Sequence, residues 1–165
     1  MVVACSAPEA ATDASTSSAE AATGTSSRLE EPTTTAGPID QGDLVGWETA
    51  TITVGETELL VAMADDPEER RQGLMGVQEL GDLHGMLFRF PDETLSGFWM
   101  KGTLMDLDIV FFGVDNEYVD RLSMVPCSAD ACPSYFSDAA YLWALEIPTG
   151  TLGPLSEGAI LSVGE

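Results

Sequence analysis

The chain has 165 residues, of which 28 are acidic and 6 are basic, and its formal net charge at pH 7 is −22. This length allows one domain of ordinary size together with a tail. Because the phosphate backbone of DNA or RNA would repel so acidic a protein, we expect no nucleic-acid partner. No run of about 18 apolar residues occurs, so the sequence predicts no membrane-spanning helix.

The first residues are similar to the lipidation site of a bacterial lipoprotein. Two apolar residues and the small Ala4 precede Cys5, which is the residue that would receive the lipid. The sequence therefore predicts a protein outside the cytoplasm, anchored through Cys5 to the outer face of the cell membrane. The alternative is a tail in which this Cys is incidental.

Residues 1–46 are predicted to be a disordered tether. They consist largely of Ala, Ser, Thr, Glu, Gly and Pro and contain almost no bulky apolar residue, so they cannot build a core. Such a composition suits a flexible connection between a membrane surface and a folded domain. The sequence assigns the domain to residues 47–165.

The elements of this domain are mostly short strands. Residues 49–54 alternate and are rich in β-branched side chains, and with residues 58–63 they predict a hairpin. A helix is predicted to begin with Asp66 as its N-cap and Pro67 in its first turn, and to end at Gly73. Further strands are predicted at residues 85–90, 97–101, 107–112, 117–125, 141–147 and 159–163. This pattern indicates an all-β domain, a sandwich or barrel with one short helix.

Two cysteines lie close together in the domain. Cys127 and Cys132 enclose four small or polar residues between two prolines, which favours a disulfide that fixes the shape of this loop. Cys5 is then left over, as a lipid anchor requires. The two thiols could instead bind zinc, for which His84 is the one available third nitrogen or sulfur ligand of the domain.

Six short motifs of the domain occur in a characteristic order, at residues 70–75 (RRQGLM), 85–90 (GMLFRF), 98–101 (FWMK), 107–109 (LDI), 126–133 (PCSADACP) and 140–146 (AYLWALE). Together they resemble the motifs of one family, domain of unknown function 192. Gly102 stands where the family usually has Asn, while the following Thr103 matches its pattern. The resemblance implies a compact β-rich domain, often exported, with no established activity.

Polar residues within apolar strands are the candidate binding residues. Strand alternation places Trp99 and Lys101 on one side of their strand, and Asp108 follows shortly after in a very apolar run. A ring for stacking, an ammonium for an anionic group and a carboxylate for donors would form a small-ligand site. The alternative is an architectural Lys101–Asp108 ion pair that closes the sheet.

Three further residues complete the predicted site. Thr103 follows Lys101, Glu146 ends an apolar strand, and Arg70 lies near the end of the helix, where it could bond Glu146 or face water. The sequence thus predicts a monomeric binding or accessory module for a small molecule, without cofactor or metal, and leans against an enzyme. One alternative is a hydrolase with Asp108 and Glu146 as an acid–base pair; another is a purely structural envelope domain.

Overall fold

The computed structural model describes residues 40–164, which belong to one compact unit. Cys5 and residues 1–39 of the predicted tether lie outside the described residues. Residues 40–46, which the sequence assigned to the tether, are part of the domain. They contain a short 3₁₀ helix, Gly42–Leu44, whose Leu44 side chain is buried. The carboxylate of Asp43 accepts backbone hydrogen bonds from Gln78 and Glu79, and these contacts hold the segment in place.

The domain is mostly β, as predicted. Its strands are β1 (Thr49–Val54), β2 (Thr57–Ala64), β3 (Met86–Thr94), β4 (Phe98–Trp99), β5 (Leu107–Phe112), β6 (Tyr118–Met124), β7 (Ser134–Tyr135), β8 (Tyr141–Pro148) and β9 (Leu161–Val163). The one α-helix among residues 40–164 is α1 (Pro67–Gln72). Within the same range no helix has the length and apolar character needed to cross a bilayer.

Seven of the strands form one curled, half-barrel sheet in the order β6-β5-β8-β3-β2-β1-β9. Neighbours are antiparallel except β2 and β3, which are parallel because the segment containing α1 connects them as a crossover. Strands β4 and β7 form a separate two-stranded ribbon. Residues next to the two edge strands meet through an antiparallel bridge between Glu117 and Ile160, which brings the edges together at one end.

Helix α1 begins and ends where the sequence predicts. The Asp66 side chain accepts hydrogen bonds from the backbone of Glu68 and Glu69, and the Glu69 side chain bonds back to the Asp66 N–H, which completes a capping box. Gly73 follows the last turn with φ +48° and ψ −140°, a conformation that favours glycine. The helix is only six residues long because this glycine turns the chain back toward the sheet.

Both faces of the sheet are covered, so all six residues of β5 are buried. We call one side the front face; its central side chains include Phe88, Ile109, Phe111 and Ala144. The opposite side is the rear face, where Leu87, Val110, Phe112, Leu145 and Ile147 pack together. Loop residues such as Leu74, Val77 and Met100 cover the front face. The polar side chains of the central strands must therefore find partners or cavities inside the protein.

Candidate functional site

Glu146 is the polar group at the centre of the front face. On β8 it lies opposite Met86 of β3 and Ile109 of β5, so apolar residues flank it on both neighbouring strands. Its side chain is only 5% exposed. The sheet register therefore holds a carboxyl group in the middle of an apolar layer, a position that is costly for a charge.

The Glu146 side chain lines a small pocket on this face, which we call the Glu146 pocket. Its free volume is about 30 Å³. Its lining comprises Arg70, Arg71, Gln72, Gly73, Leu74, Met75, Phe88, Phe98, Trp99, Thr103 and Glu146. Aromatic rings thus form much of the wall, and the polar side chains besides Glu146 come from the last turn of α1 and from Thr103.

The Glu146 carboxyl has no charged partner in the pocket. The single ion pair among residues 40–164 lies elsewhere, and no hydrogen bond to this carboxyl is found in the described part of the chain. Burial, which disfavours the charged form, raises the pKa of Glu146 to about 8. At neutral pH the carboxyl of the free protein is therefore mostly protonated.

Gly73 forms the side of the pocket next to Glu146. A β-carbon at this position would lie 3.3 Å from Cζ of Phe88 and 3.9 Å from Oε2 of Glu146. The absence of a side chain therefore keeps the space in front of the carboxyl open. The positive φ of +48° is a second reason why glycine suits this position.

Arg70 lies at the rim of the pocket but does not bond Glu146, and it does not simply face water. Its guanidinium donates to the carbonyl oxygens of Asp65 and, at 2.8 Å, Arg89. Its Cζ atom also lies 5.3 Å from the ring centroid of Phe90. Arg70 thus joins α1 to the residue that follows β2 and to the interior of β3, and it donates to backbone carbonyls rather than to the carboxyl.

The segment that carries Trp99 and Thr103 rests on the loop closed by the predicted disulfide. Cys127 and Cys132 form that disulfide, which leaves neither thiolate for zinc. The N–H of Cys127 donates to the carbonyl of Met100 at 3.2 Å, and the residues after the disulfide form β7, which pairs with β4. The cross-linked loop therefore supports the wall of the pocket that Trp99 and Thr103 form.

Lys101 lies outside the pocket lining. As the strand alternation predicted, it is exposed on the same side as Trp99, with its Nζ atom 5.7 Å from the indole centroid. The next residue, Gly102, has φ +72° and only the Met75 side chain near its potential β-carbon. Asn tolerates this left-handed conformation better than most residues, which explains in physical terms why Gly and Asn can occupy the same position.

Asp108 does not belong to this site, and the predicted Lys101–Asp108 pair is wrong. Asp108 lies opposite Ile147 on the rear face, whereas Ile109 and Glu146 face the front. Its Oδ2 atom is 2.7 Å from Nη2 of Arg121, and Ser123 donates to its Oδ1 at 2.7 Å. The cationic partner is Arg121 on β6, two residues before Ser123, and the sequence analysis did not predict it.

The electrostatics of Asp108 are those of a paired structural charge. Burial acts to raise the pKa of Asp108, but the hydrogen bonds from Arg121 and Ser123 outweigh it, so this pKa lies below its ordinary value. Since the sheet separates Asp108 from Glu146, the two carboxyl groups cannot act together on one substrate. The predicted acid–base pair of a hydrolase is therefore not present.

Four of the six predicted site residues thus line one pocket: Arg70, Trp99, Thr103 and Glu146. The sequence prediction missed its apolar wall, Phe88 and Phe98, and the role of Gly73. Two of the motifs that carried the family resemblance, at residues 70–75 and 85–90, include Gly73 and Phe88. They could have pointed to the pocket.

A larger hollow of about 520 Å³ lies elsewhere in the domain. Met63, Asp65, Arg89 and Trp143 are among the residues that line it. The indole N–H of Trp143 is buried without a hydrogen-bond partner, and the Arg89 guanidinium lies 5.4 Å from the Trp143 ring. None of the six predicted site residues lies in this hollow, so the two cavities can be distinguished experimentally.

Residues 50–159 match the family model DUF192, which is described as "Uncharacterized ACR". The chain belongs to the DUF192 family. The match includes every residue that lines the Glu146 pocket, from Arg70 to Glu146. The suspected family is therefore confirmed, whereas the description assigns no activity to it.

Two solved structures are similar to this DUF192 chain. One is a Sinorhizobium meliloti 1021 protein that is provisionally called a transcription regulator. It has 30% sequence identity and a TM-score of 0.63, and the match covers 72% of this chain and 96% of that one. The other is a Novosphingobium aromaticivorans DSM 12444 protein of unknown function, with 27% identity, a TM-score of 0.64 and coverages of 77% and 94%. No curated protein matches the chain.

Proposed function

We propose that this DUF192 protein is a small-ligand binding module that uses the Glu146 pocket, held outside the cytoplasm by a lipid anchor on Cys5. The observation that carries the binding role is the buried, unpartnered carboxyl of Glu146 beside a cavity. The Glu146 oxygens accept no hydrogen bond from the described residues and border the cavity, so a partner that arrives from outside would satisfy them.

The composition of the pocket supports binding rather than catalysis. A hydrolase of the kind considered above needs two carboxyl groups across a substrate, and the second candidate, Asp108, faces the rear of the sheet. The net charge of −22 likewise argues against reading the regulator name of the Sinorhizobium protein as DNA binding by this chain. A single carboxyl among aromatic rings is better suited to hold a ligand.

Two observations support a location outside the cytoplasm: the Cys127–Cys132 disulfide and the sequence around Cys5. Disulfides such as Cys127–Cys132 persist mainly in oxidising compartments, and the remaining Cys5 lies in a lipoprotein-like sequence. We expect mass spectrometry of the full-length protein, produced with an export signal, to find diacylglycerol on Cys5 and none in a Cys5→Ser variant. An unmodified Cys5 in the exported protein would contradict the anchor.

Binding can be tested by NMR on the ¹⁵N-labelled full chain with a panel of small organic cations, carboxylates and sugars. We expect at least one compound class to shift the indole N–H of Trp99 and the amide of Gly73, which both line the pocket. The indole N–H of Trp143 reports on the larger hollow and serves as the internal control. If the panel leaves Trp99 and Gly73 unchanged, or shifts Trp143 alone, the proposal fails.

A further inference from the structure

We propose that the Glu146 pocket takes the primary ammonium group of a small organic cation, with the Glu146 carboxylate as its counter-charge. This inference rests on the proposed binding function and specifies the chemical class of the ligand. It follows from the hydrogen-bonding capacity, the size and the charge of the pocket.

Two buried side chains of the pocket, Glu146 and Thr103, have oxygen atoms that accept no hydrogen bond from the described residues. Glu146 is 5% exposed and Thr103 is 6% exposed, and no hydrogen bond to either side chain is found among residues 40–164. The backbone N–H of Thr103 is already used, since it donates to the carbonyl of Met100 at 3.2 Å. An ammonium group has three N–H donors and no acceptor, so it would satisfy the carboxylate and the hydroxyl together.

The size of the cavity restricts which cation can enter. A free volume of about 30 Å³ suits a head group of one heavy atom with its hydrogens better than a bulkier guanidinium or trimethylammonium group. The alkyl part of the ligand would extend toward the rim. There, the rings of Phe98 and Trp99 provide apolar surface for it.

A metal ion or an anion fits this pocket less well. Hard metal ions need several oxygen ligands, and the described residues contain no group of three His, Cys, Asp or Glu that could hold one. An anion would need a cation close to Glu146, yet the Arg70 guanidinium is bound to backbone carbonyls and Arg71 is exposed at the rim. The net charge of −22 also draws cations to the surface.

Binding of an ammonium should depend on pH, because the carboxyl must be ionised to pair with it. Burial raises the pKa of Glu146 to about 8, so most free protein at lower pH is protonated at this site. The affinity should then rise about tenfold per pH unit below this value and level off above it. The groups that face the carboxyl from the adjoining elements are the charged Arg70 and Arg71 of α1 and the uncharged Met86, Phe88, Phe98 and Ile109.

The probe for this inference is n-butylammonium chloride, compared with 1-butanol as its neutral analogue and with sodium butyrate as its anionic analogue. Each is titrated into the full chain at several pH values from about 6 to 9, and the Trp99 indole and Gly73 amide signals are followed. We expect butylammonium to bind most tightly, with the rise in affinity derived above. Stronger binding of butyrate or butanol would overturn the ammonium assignment while leaving a binding pocket in place.

Two variants complete the test. Glu146→Gln keeps the shape of the side chain but cannot ionise, and it should weaken butylammonium binding at least tenfold at about pH 8 and abolish the pH dependence. Glu157→Gln, at an exposed position outside the pocket lining, is the matched control and should bind as the parent chain does. Equal binding by the parent and Glu146→Gln would overturn the inference. No response to any probe or panel compound would overturn the binding function as well.

Discussion

The carboxyl of Glu146 should make the stability of the domain fall as pH rises, and Glu146→Gln should remove that effect. In the unfolded chain this group ionises near its ordinary pKa of 4.5, whereas in the folded protein burial raises the pKa to about 8. Between these values the folded state keeps a proton that the unfolded state has lost. Unfolding therefore releases a proton, and the free energy of unfolding decreases with rising pH until the folded carboxyl also ionises.

The size of this effect follows from the two pKa values. One pKa unit corresponds to about 1.4 kcal/mol, so the group costs the folded state about 1 kcal/mol at pH 5 and about 3 kcal/mol at pH 7. Glu146→Gln should gain stability over the parent by a margin that grows with pH in this way. The substitution of an amide for an acid can also change the free energy of unfolding by an amount that does not depend on pH. This amount cancels when the difference between variant and parent at one pH is subtracted from the difference at another pH.

Urea unfolding followed by tryptophan fluorescence, at several pH values from about 4.5 to 8.5, measures this margin. Glu157→Gln, the same substitution at an exposed position outside the pocket lining, is the control. If the stability difference between Glu146→Gln and the parent is the same at all pH values, then the Glu146 carboxyl is not held protonated by burial. A Glu146 carboxyl that lacks this pH dependence would also not be the buried, unpartnered group with which the proposed ligand pairs.

Three further changes test other parts of the structure. Gly73→Ala should cost about 1–3 kcal/mol in urea unfolding, since it forces a side chain into a left-handed conformation beside a phenyl ring; an unchanged stability would contradict the described turn. Arg121→Met should cost about 3 kcal/mol at pH 7 because it leaves Asp108 buried without its cation. The loss should shrink on acidification, as Asp108 becomes protonated below its lowered pKa. Reducing the Cys127–Cys132 disulfide should cost about 2 kcal/mol for so short a loop, and ready alkylation of the native protein without reductant would disprove the bond.

The sequence predicts the local elements of this fold well because their signals are local. Asp66 and Pro67 start a helix through their own backbone geometry, and the alternation in residues 49–63 sets a hairpin. The strand predicted at residues 107–112 has the same first and last residues as β5. By contrast, β7 has only two residues, which are too few to show a hydrophobic pattern. It forms because the chain after the disulfide loop pairs with β4, and the sequence analysis therefore did not predict it.

The site was only partly predictable for a different reason. Which face of a sheet a residue occupies relative to one on another strand depends on the register between those strands, and a sequence does not state that register. Asp108 and Glu146 are therefore both recognisable as polar residues in apolar strands, but only the pairing of Ile109 with Glu146 shows that they face opposite ways. The partner of Asp108, Arg121, was hidden for the same reason.

The pairing of β1 with β9 has a consequence for how the chain folds during synthesis. The first strand of the domain receives its outer neighbour from residues 161–163, with Ile52 opposite Val163, so the two partners are separated by almost the whole domain. The ribosome must therefore deliver nearly all of the polypeptide before the sheet can be completed. We expect completion on the slow, millisecond-to-second timescale of proteins whose contacts are distant in sequence, with the apolar rear face open to chaperones until then.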